Sequence, residues 1–221
     1  MANIRGNATF AKTITMFTGI VESLGKVLSI ENKGTNRSFW IEGTLSGRLK
    51  ADESVNHNGV CLTIEEVKKK KYKVSAVKET LDKTNLRQWE KGSIINLERA
   101  MKNNGRLDGH IVQGHVDDIV TCVEITEQQG SKDYTFRFDE KFAALVIEKG
   151  SVCINGVSLT LFNVTANSFK VTIIPFTNDH TNFSILAKGD IANIEFDILG
   201  KYVQRAMELN KKKNIDLNAQ N

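Results

Sequence analysis

Two six-residue blocks, NGVCLT at 58–63 and NGVSLT at 155–160, differ at a single position, which holds Cys61 in the first and Ser158 in the second. A thiol and a hydroxyl in the same place imply two sites of common architecture with unequal nucleophilic atoms. Thr63 and Thr160 follow two residues later, on the same strand face as Cys61 and Ser158, and offer hydroxyls to a bound ligand. His115 adds a second asymmetry, because QGHV (113–116) faces TGIV (18–21) and an imidazole stands where the first half has Ile20. Imidazole is the side chain suited to proton transfer near neutral pH, so one half gains a group its partner lacks. His110, five residues earlier, is a weaker candidate that shapes the turn.

The elements that position these groups are written twice. Residues 54–98 align without a gap on 151–195 at an offset of 97, with 19 of 45 positions identical by count; upstream the offset becomes 95, so the second repeat starts near residue 112. Each half contains short alternating runs, SFWIE (38–42), VCLTIEEV (60–67), YKVSAV (72–77) and IINLE (94–98) in the first, YTFRF (134–138) and FKVTII (169–174) in the second. Such runs predict half-buried strands of two small antiparallel barrels or sandwiches, not a βαβ array. Pro175, the only proline, marks a strand end, and TNLRQW (84–89) and TNFSIL (181–186) each predict one short helix. KYVQRAMEL (201–209) has its apolar residues at helical spacing, so a terminal amphipathic helix must cover either its own barrel or a neighbouring subunit.

The expected segments are an N-terminal extension or leader (1–15), one barrel (16–111), a second (112–199), and a helical tail (200–221). With 30 Lys+Arg against 26 Asp+Glu, the surplus charge sits in runs such as 68–71 and 211–213, and no zinc-finger spacing or aromatic-rich motif suggests nucleic-acid binding. Three scattered cysteines, Cys61, Cys122 and Cys153, fit a reduced, cytoplasmic protein, and no apolar run reaches membrane-spanning length.

MFTGIVE (16–22), SVNHNGVCLT (54–63), KETLDKTNL (78–86), GHIVQGHVD (109–117) and INGVSLT (154–160) occur in an order that resembles the α-chain type of riboflavin synthase, over about residues 16–210. The resemblance implies an all-β chain of two tandem six-stranded Greek-key barrels with a C-terminal α-helix, gathered as a homotrimer around those helices. It implies that two molecules of 6,7-dimethyl-8-ribityllumazine dismutate, by transfer of four carbons, to riboflavin and 5-amino-6-(D-ribitylamino)uracil. No cofactor or metal is required, because the acidic methyl on carbon 7 of the lumazine supplies the carbanion. Association with lumazine synthase is a further partner expectation.

The same resemblance assigns catalysis to Ser54, Cys61, His115 and Asp197. It completes one pocket with Gly19, Ile20, Val21, Cys61, Leu62, Thr63, Ser75, Ala76, Val77, Lys78, Glu79 and Thr80. The other takes Gly114, His115, Val116, Lys149, Ser158, Leu159, Thr160, Thr172, Ile173, Ile174, Pro175, Phe176 and Thr177. The chain departs from common family pattern at Asn155, where many relatives have aspartate, and at Val60, where some have a second cysteine. The rival reading keeps the fold without the chemistry, as a fluorescent lumazine- or flavin-binding antenna, and expects the reactive residues to have decayed.

Overall fold

The structure, a computed structural model, describes residues 16–102 and 104–218; the expected leader, 1–15, lies outside the described residues. The first repeat forms β1 (Ser23–Lys33), β2 (Asn36–Gly43), β3 (Ser54–His57), β4 (Val60–Lys68), β5 (Lys71–Ala76) and β6 (Ile94–Arg99), closed into a barrel in the order β1-β2-β5-β4-β3-β6. The second forms β7 (Asp118–Gln128), β8 (Ser131–Arg137), β9 (Ser151–Ile154), β10 (Val157–Thr160), β11 (Ser168–Ile173) and β12 (Ile191–Phe196), with the same Greek-key neighbours. Its β10 is short, and the seam towards β11 is held by one bridge between Phe162 and Lys170, whose two backbone bonds are 3.0 and 2.8 Å.

Local chemistry explains the pairing. The β3–β4 and β9–β10 hairpins turn on Asn58-Gly59 and Asn155-Gly156, with φ of 49° and 87° in the first and 47° and 79° in the second. Two consecutive left-handed residues make the tight turn that matches strand twist, and Asn-Gly adopts it at least cost. Bulges at Val27/Ser29, Ile64/Glu66 and Cys122/Glu124 bend the long strands. Along β5 and β11 alternate residues are buried, so Tyr72, Val74 and Ala76 fill one interior and Phe169, Val171 and Ile173 the other.

Two short helices, α1 (Lys78–Lys83) and α2 (Pro175–His180), follow β5 and β11. Pro175 ends the strand and opens α2, a position where its missing N–H costs nothing. The segments read as helices at 84–89 and 181–186 are instead 3-10 turns at Asn85–Gln88 and Asn182–Ser184. Thr84 and Thr181 cause the difference: both are extended, with φ of −129° and −133°, and each hydroxyl accepts from the amide two residues on while donating to the last turn of the preceding helix.

The barrels meet across a ring of six buried asparagines, Asn58, Asn85 and Asn96 from the first and Asn155, Asn182 and Asn193 from the second. Asn96 Nδ2 donates to Asn155 O (2.8 Å) and Asn182 Oδ1 (2.9 Å), and Asn193 Nδ2 donates to Asn58 O (2.7 Å) and Asn85 Oδ1 (3.0 Å). The amides of Asn182 and Asn85 close the ring on Asn96 Oδ1 and Asn193 Oδ1, both at 2.7 Å. Beyond the ring, Phe17 and Val112 form a backbone bridge and pack with Cys153.

His57 is buried in the first core between Val55 O and Tyr72 Oη, each 2.9 Å away. A carbonyl can only accept, so Nδ1 carries the proton and Nε2 accepts from the phenol. Burial holds this imidazole at about 4 against an ordinary 6.5. The folded state therefore resists protonation, and the stability His57 contributes is present above pH 6.5 and lost as pH falls towards 4. Urea unfolding of wild type and His57→Gln at pH 7.5 and pH 4 should show a pH-dependent difference of about 3 kcal/mol, a comparison that cancels the titration of other groups. Equal pH dependence in both proteins would contradict a neutral buried His57.

α3 (Ile198–Asn218) extends well beyond 201–209 at both ends. Asp197 Oδ1 accepts from Leu199 N at 3.0 Å and starts the helix, while Lys201 pairs with Asp117 at 2.6 Å. Among the described side chains of α3, Tyr202, Val203 and Met207 are 72%, 60% and 57% exposed. No helix among the described residues is long and apolar enough to cross a membrane.

Candidate active site

The barrel interiors are filled, so the candidate groups lie on the outer strand faces. On β4, Val60 and Leu62 point into the core while Cys61 is half-buried and Thr63 exposed; on β10, Ser158 is half-buried and Thr160 exposed. The side chains of Leu62, Ala76 and Ile173 belong to the cores by strand alternation, which leaves their backbone groups to meet a ligand. Leu159 is partly buried against the second core. Val77 and Ile174 are exposed just past the strand ends, Pro175 and Phe176 are exposed on the first turn of α2, and Lys78, Glu79, Thr80 and Thr177 also lie on the two short helices. Ser75 Oγ lies 2.7 Å from Ser38 Oγ, and Thr172 donates to Asp133 at 2.6 Å. Lys149 occupies a left-handed turn with its ammonium 6.0 Å from the centre of the Phe162 ring.

The lips of the two sites are exchanged. Ser158 N donates to Gly19 O at 2.8 Å and Cys61 N donates to Gly114 O at 2.9 Å, so each repeat's leading segment crosses to the opposite barrel. Val21 packs on the second core and Val116 on the first. The expected pairing of Gly19, Ile20 and Val21 with Cys61 and Ser75–Thr80, and of Gly114, His115 and Val116 with Ser158, is therefore reversed. The reason is geometric: the Phe17–Val112 bridge brings the two segments side by side between the barrels, and each continues to the far side.

On the first barrel this assembles Ser54, Cys61, Gly114 and His115. Burial pushes the Cys61 thiol up, opposed by the neighbouring Ser54 hydroxyl and reinforced by the Glu195 charge, so the neutral thiol is the form present at neutral pH. The His115 amide is held by Glu195 at 2.9 Å, and its ring is exposed at the lip. On the second barrel, His110 Nδ1 lies 2.7 Å from Ser158 Oγ. Burial lowers the His110 pKa while the Asp197 charge partly restores it, leaving a neutral imidazole that can take the hydroxyl proton. The four expected catalytic residues thus divide, with Ser54, Cys61 and His115 on one barrel and Asp197, beside His110, on the other.

The lumazine binding domain family matches residues 18–100 and 113–197. Riboflavin synthase of Actinobacillus pleuropneumoniae is 39% identical over 191 residues, covering 86% of this chain and 89% of the relative. That of Bacillus subtilis is 37% identical with the same coverage, and that of Saccharomyces cerevisiae 34% identical over 90% of each chain. The chain belongs to the riboflavin synthase family. In fold it is similar to LumP crystallised with riboflavin, at a TM-score of 0.76 and 21% identity over 82% of this chain and 99% of LumP.

Within the family's frame, His110 changes rank: spacing made it a turn residue, whereas the fold puts it on Ser158. The departure at Asn155 is silent in hydrogen bonding, because its Oδ1 accepts from Asn85 Nδ2 (3.2 Å) and Asn193 N (2.9 Å) as a carboxylate oxygen would. Glu98 and Glu195 were missed altogether, although both close the repeated block KGSIINLE and KGDIANIE. Burial pushes Glu98 up to about 7, and it raises Glu195 against the bonds from Gln113 and His115 and the charge of Lys201. A cleft of about 410 Å³ opens between the barrels over the asparagine ring and shares no lining residue with either site.

Proposed function

We propose that this riboflavin synthase family chain converts two molecules of 6,7-dimethyl-8-ribityllumazine into riboflavin and 5-amino-6-(D-ribitylamino)uracil, using the groups on both barrels. The observation that carries the reading is the pair of related but chemically unequal sites. One offers a thiol, a hydroxyl and an exposed imidazole; the other a serine held by a neutral histidine beside a carboxylate. Two copies of one ligand would meet similar cradles but different reactive groups, as a dismutation requires. His110 would move the Ser158 proton, His115 would serve as base at the first lip, and Thr63 and Thr160 would bond the ring edges. Alignment of the two heterocycles can supply roughly 7 to 11 kcal/mol of the barrier.

The uncovered face of α3 supports a homotrimer in which the first barrel of one subunit meets the second barrel of its neighbour, a cytoplasmic assembly that can associate with lumazine synthase. Incubation with the lumazine alone should generate riboflavin absorbance without an added cofactor; an antenna would bind and fluoresce without turnover. His115→Gln should lower kcat about 10- to 1000-fold with little change in lumazine affinity. Normal turnover in that variant would remove His115 from the mechanism.

A further inference from the structure

Two buried carboxylates stand outside the chemistry above. Glu98, on β6, accepts Thr18 N (2.6 Å) and Thr18 Oγ1 (2.8 Å) on one oxygen and Gly19 N (3.0 Å) on the other. Glu195, at the matching place on β12, accepts Gln113 N (2.6 Å) and His115 N (2.9 Å) on its two oxygens. In both cases each carboxylate oxygen accepts a backbone N–H from outside the named strands, and the segment so held then touches the opposite barrel at Ser158 or Cys61.

We propose that Glu98 and Glu195 are positioning residues, each fixing the lip of the site on the barrel to which it does not belong. Both ends of the side chain must accept, which a carboxylate does and a carboxamide does not: glutamine would turn an N–H towards a backbone N–H. The fit is close enough to matter, because Gly114 and Gly19 leave no space for a Cβ against Cys61 and Ser158. Glu195 would therefore act on the first barrel's site, where it also carries His115, and Glu98 on the second's.

This assignment rests on the two-site reading, but its test reads the loops and not turnover, so either can fail without the other. Cys61 is half-buried under the Gly114 lip, while Cys122 is buried in the second core and reports general opening. The Glu195 charge also raises the Cys61 thiol, so each iodoacetamide rate, located by mass spectrometry, is divided by the thiolate fraction read from its own pH dependence; the corrected rate should be about 10-fold faster at Cys61 in Glu195→Gln, from loss of a charge-assisted bond. Cys122 should stay at its wild-type rate, Glu98→Gln should leave Cys61 unchanged, and Glu195→Asp, with both acceptors kept, should fall nearer wild type. An unchanged Cys61 rate in Glu195→Gln, or a parallel rise at Cys61 and Cys122 in both variants, would overturn the proposal. Should Glu195→Gln not fold, hydrogen exchange on the wild-type protein decides: the Gly19 and His115 amides must be protected like strand amides, and exchange as fast as Thr35 in its hairpin turn would refute the latch.

Discussion

Gly114→Ala should lower turnover by about 100-fold or more in a protein that still folds. Gly114 has a φ of +76°, and an added Cβ would stand 2.6 Å from Cys61 Cβ and 2.8 Å from Cys61 N. The backbone conformation costs about 1–2 kcal/mol for any other residue. The contact is worse, because it meets backbone that is itself fixed by the bond from Cys61 N to Gly114 O. The lip must lift away, and it carries His115 with it. Displacement by about 1 Å of the base proposed at His115 should cost on the order of 100-fold in rate. Gly34→Ala is the control: φ is also positive, at +60°, but nothing lies within 4 Å of the added carbon, so it should lose a little stability and no activity. Steady-state kinetics on both, with thermal unfolding alongside, make the check; near-normal kcat in Gly114→Ala would show that the lip is not part of the site.

Asn193→Leu should destabilise the protein by about 3–5 kcal/mol and split its unfolding into separate barrel transitions. Leucine fits the volume but strands Asn58 O, Asn85 Oδ1 and Asn85 N, which bond Asn193 at 2.7, 3.0 and 2.7 Å. All are buried, so water does not replace the lost partners, and each stranded group costs about 1–3 kcal/mol. The barrels have separate cores, so weakening the ring uncouples them without emptying either. Urea unfolding followed by Trp fluorescence, which reports Trp40 and Trp89 in the first barrel alone, against far-ultraviolet circular dichroism, which reports both, should give coincident curves for wild type and displaced curves for the variant. Coincident curves in both would show that the asparagine ring does not hold the barrels together.

What the sequence made legible was local or periodic. The offset of 97 revealed the duplication, alternation revealed the strands, and helical spacing revealed α3, because each depends on near neighbours along the chain. Self-alignment says which segments are alike but not which surface each touches, so Gly19 and Gly114 were assigned to their own barrels when each crosses to the other. His110 was underrated for the same reason, since its partner Ser158 is 48 residues away. Asp197 carried a readable signal that was passed over, a carboxylate immediately before an amphipathic helix, where an N-cap belongs. Glu98, Glu195 and the six asparagines also left a trace: they are polar residues repeated identically in both halves yet buried where polar groups need partners.

The exchange of lips and the asparagine ring share a property that bears on how such a chain arose. Asn96 of the first repeat binds Asn182 as Asn193 binds Asn85, and the Gly19–Ser158 contact has its counterpart in Gly114–Cys61. Each of these contacts is matched by one with the halves interchanged, which is the signature of an isologous two-fold interface. A single repeat with these residues would close as a homodimer, each subunit finishing the other's pocket, with both pockets the same by symmetry. Joining the subunits end to end released them from that identity: cysteine and serine, histidine and isoleucine, could then occupy matched places in one polypeptide. Fusion is thus what permits two cradles of common architecture to carry different side chains.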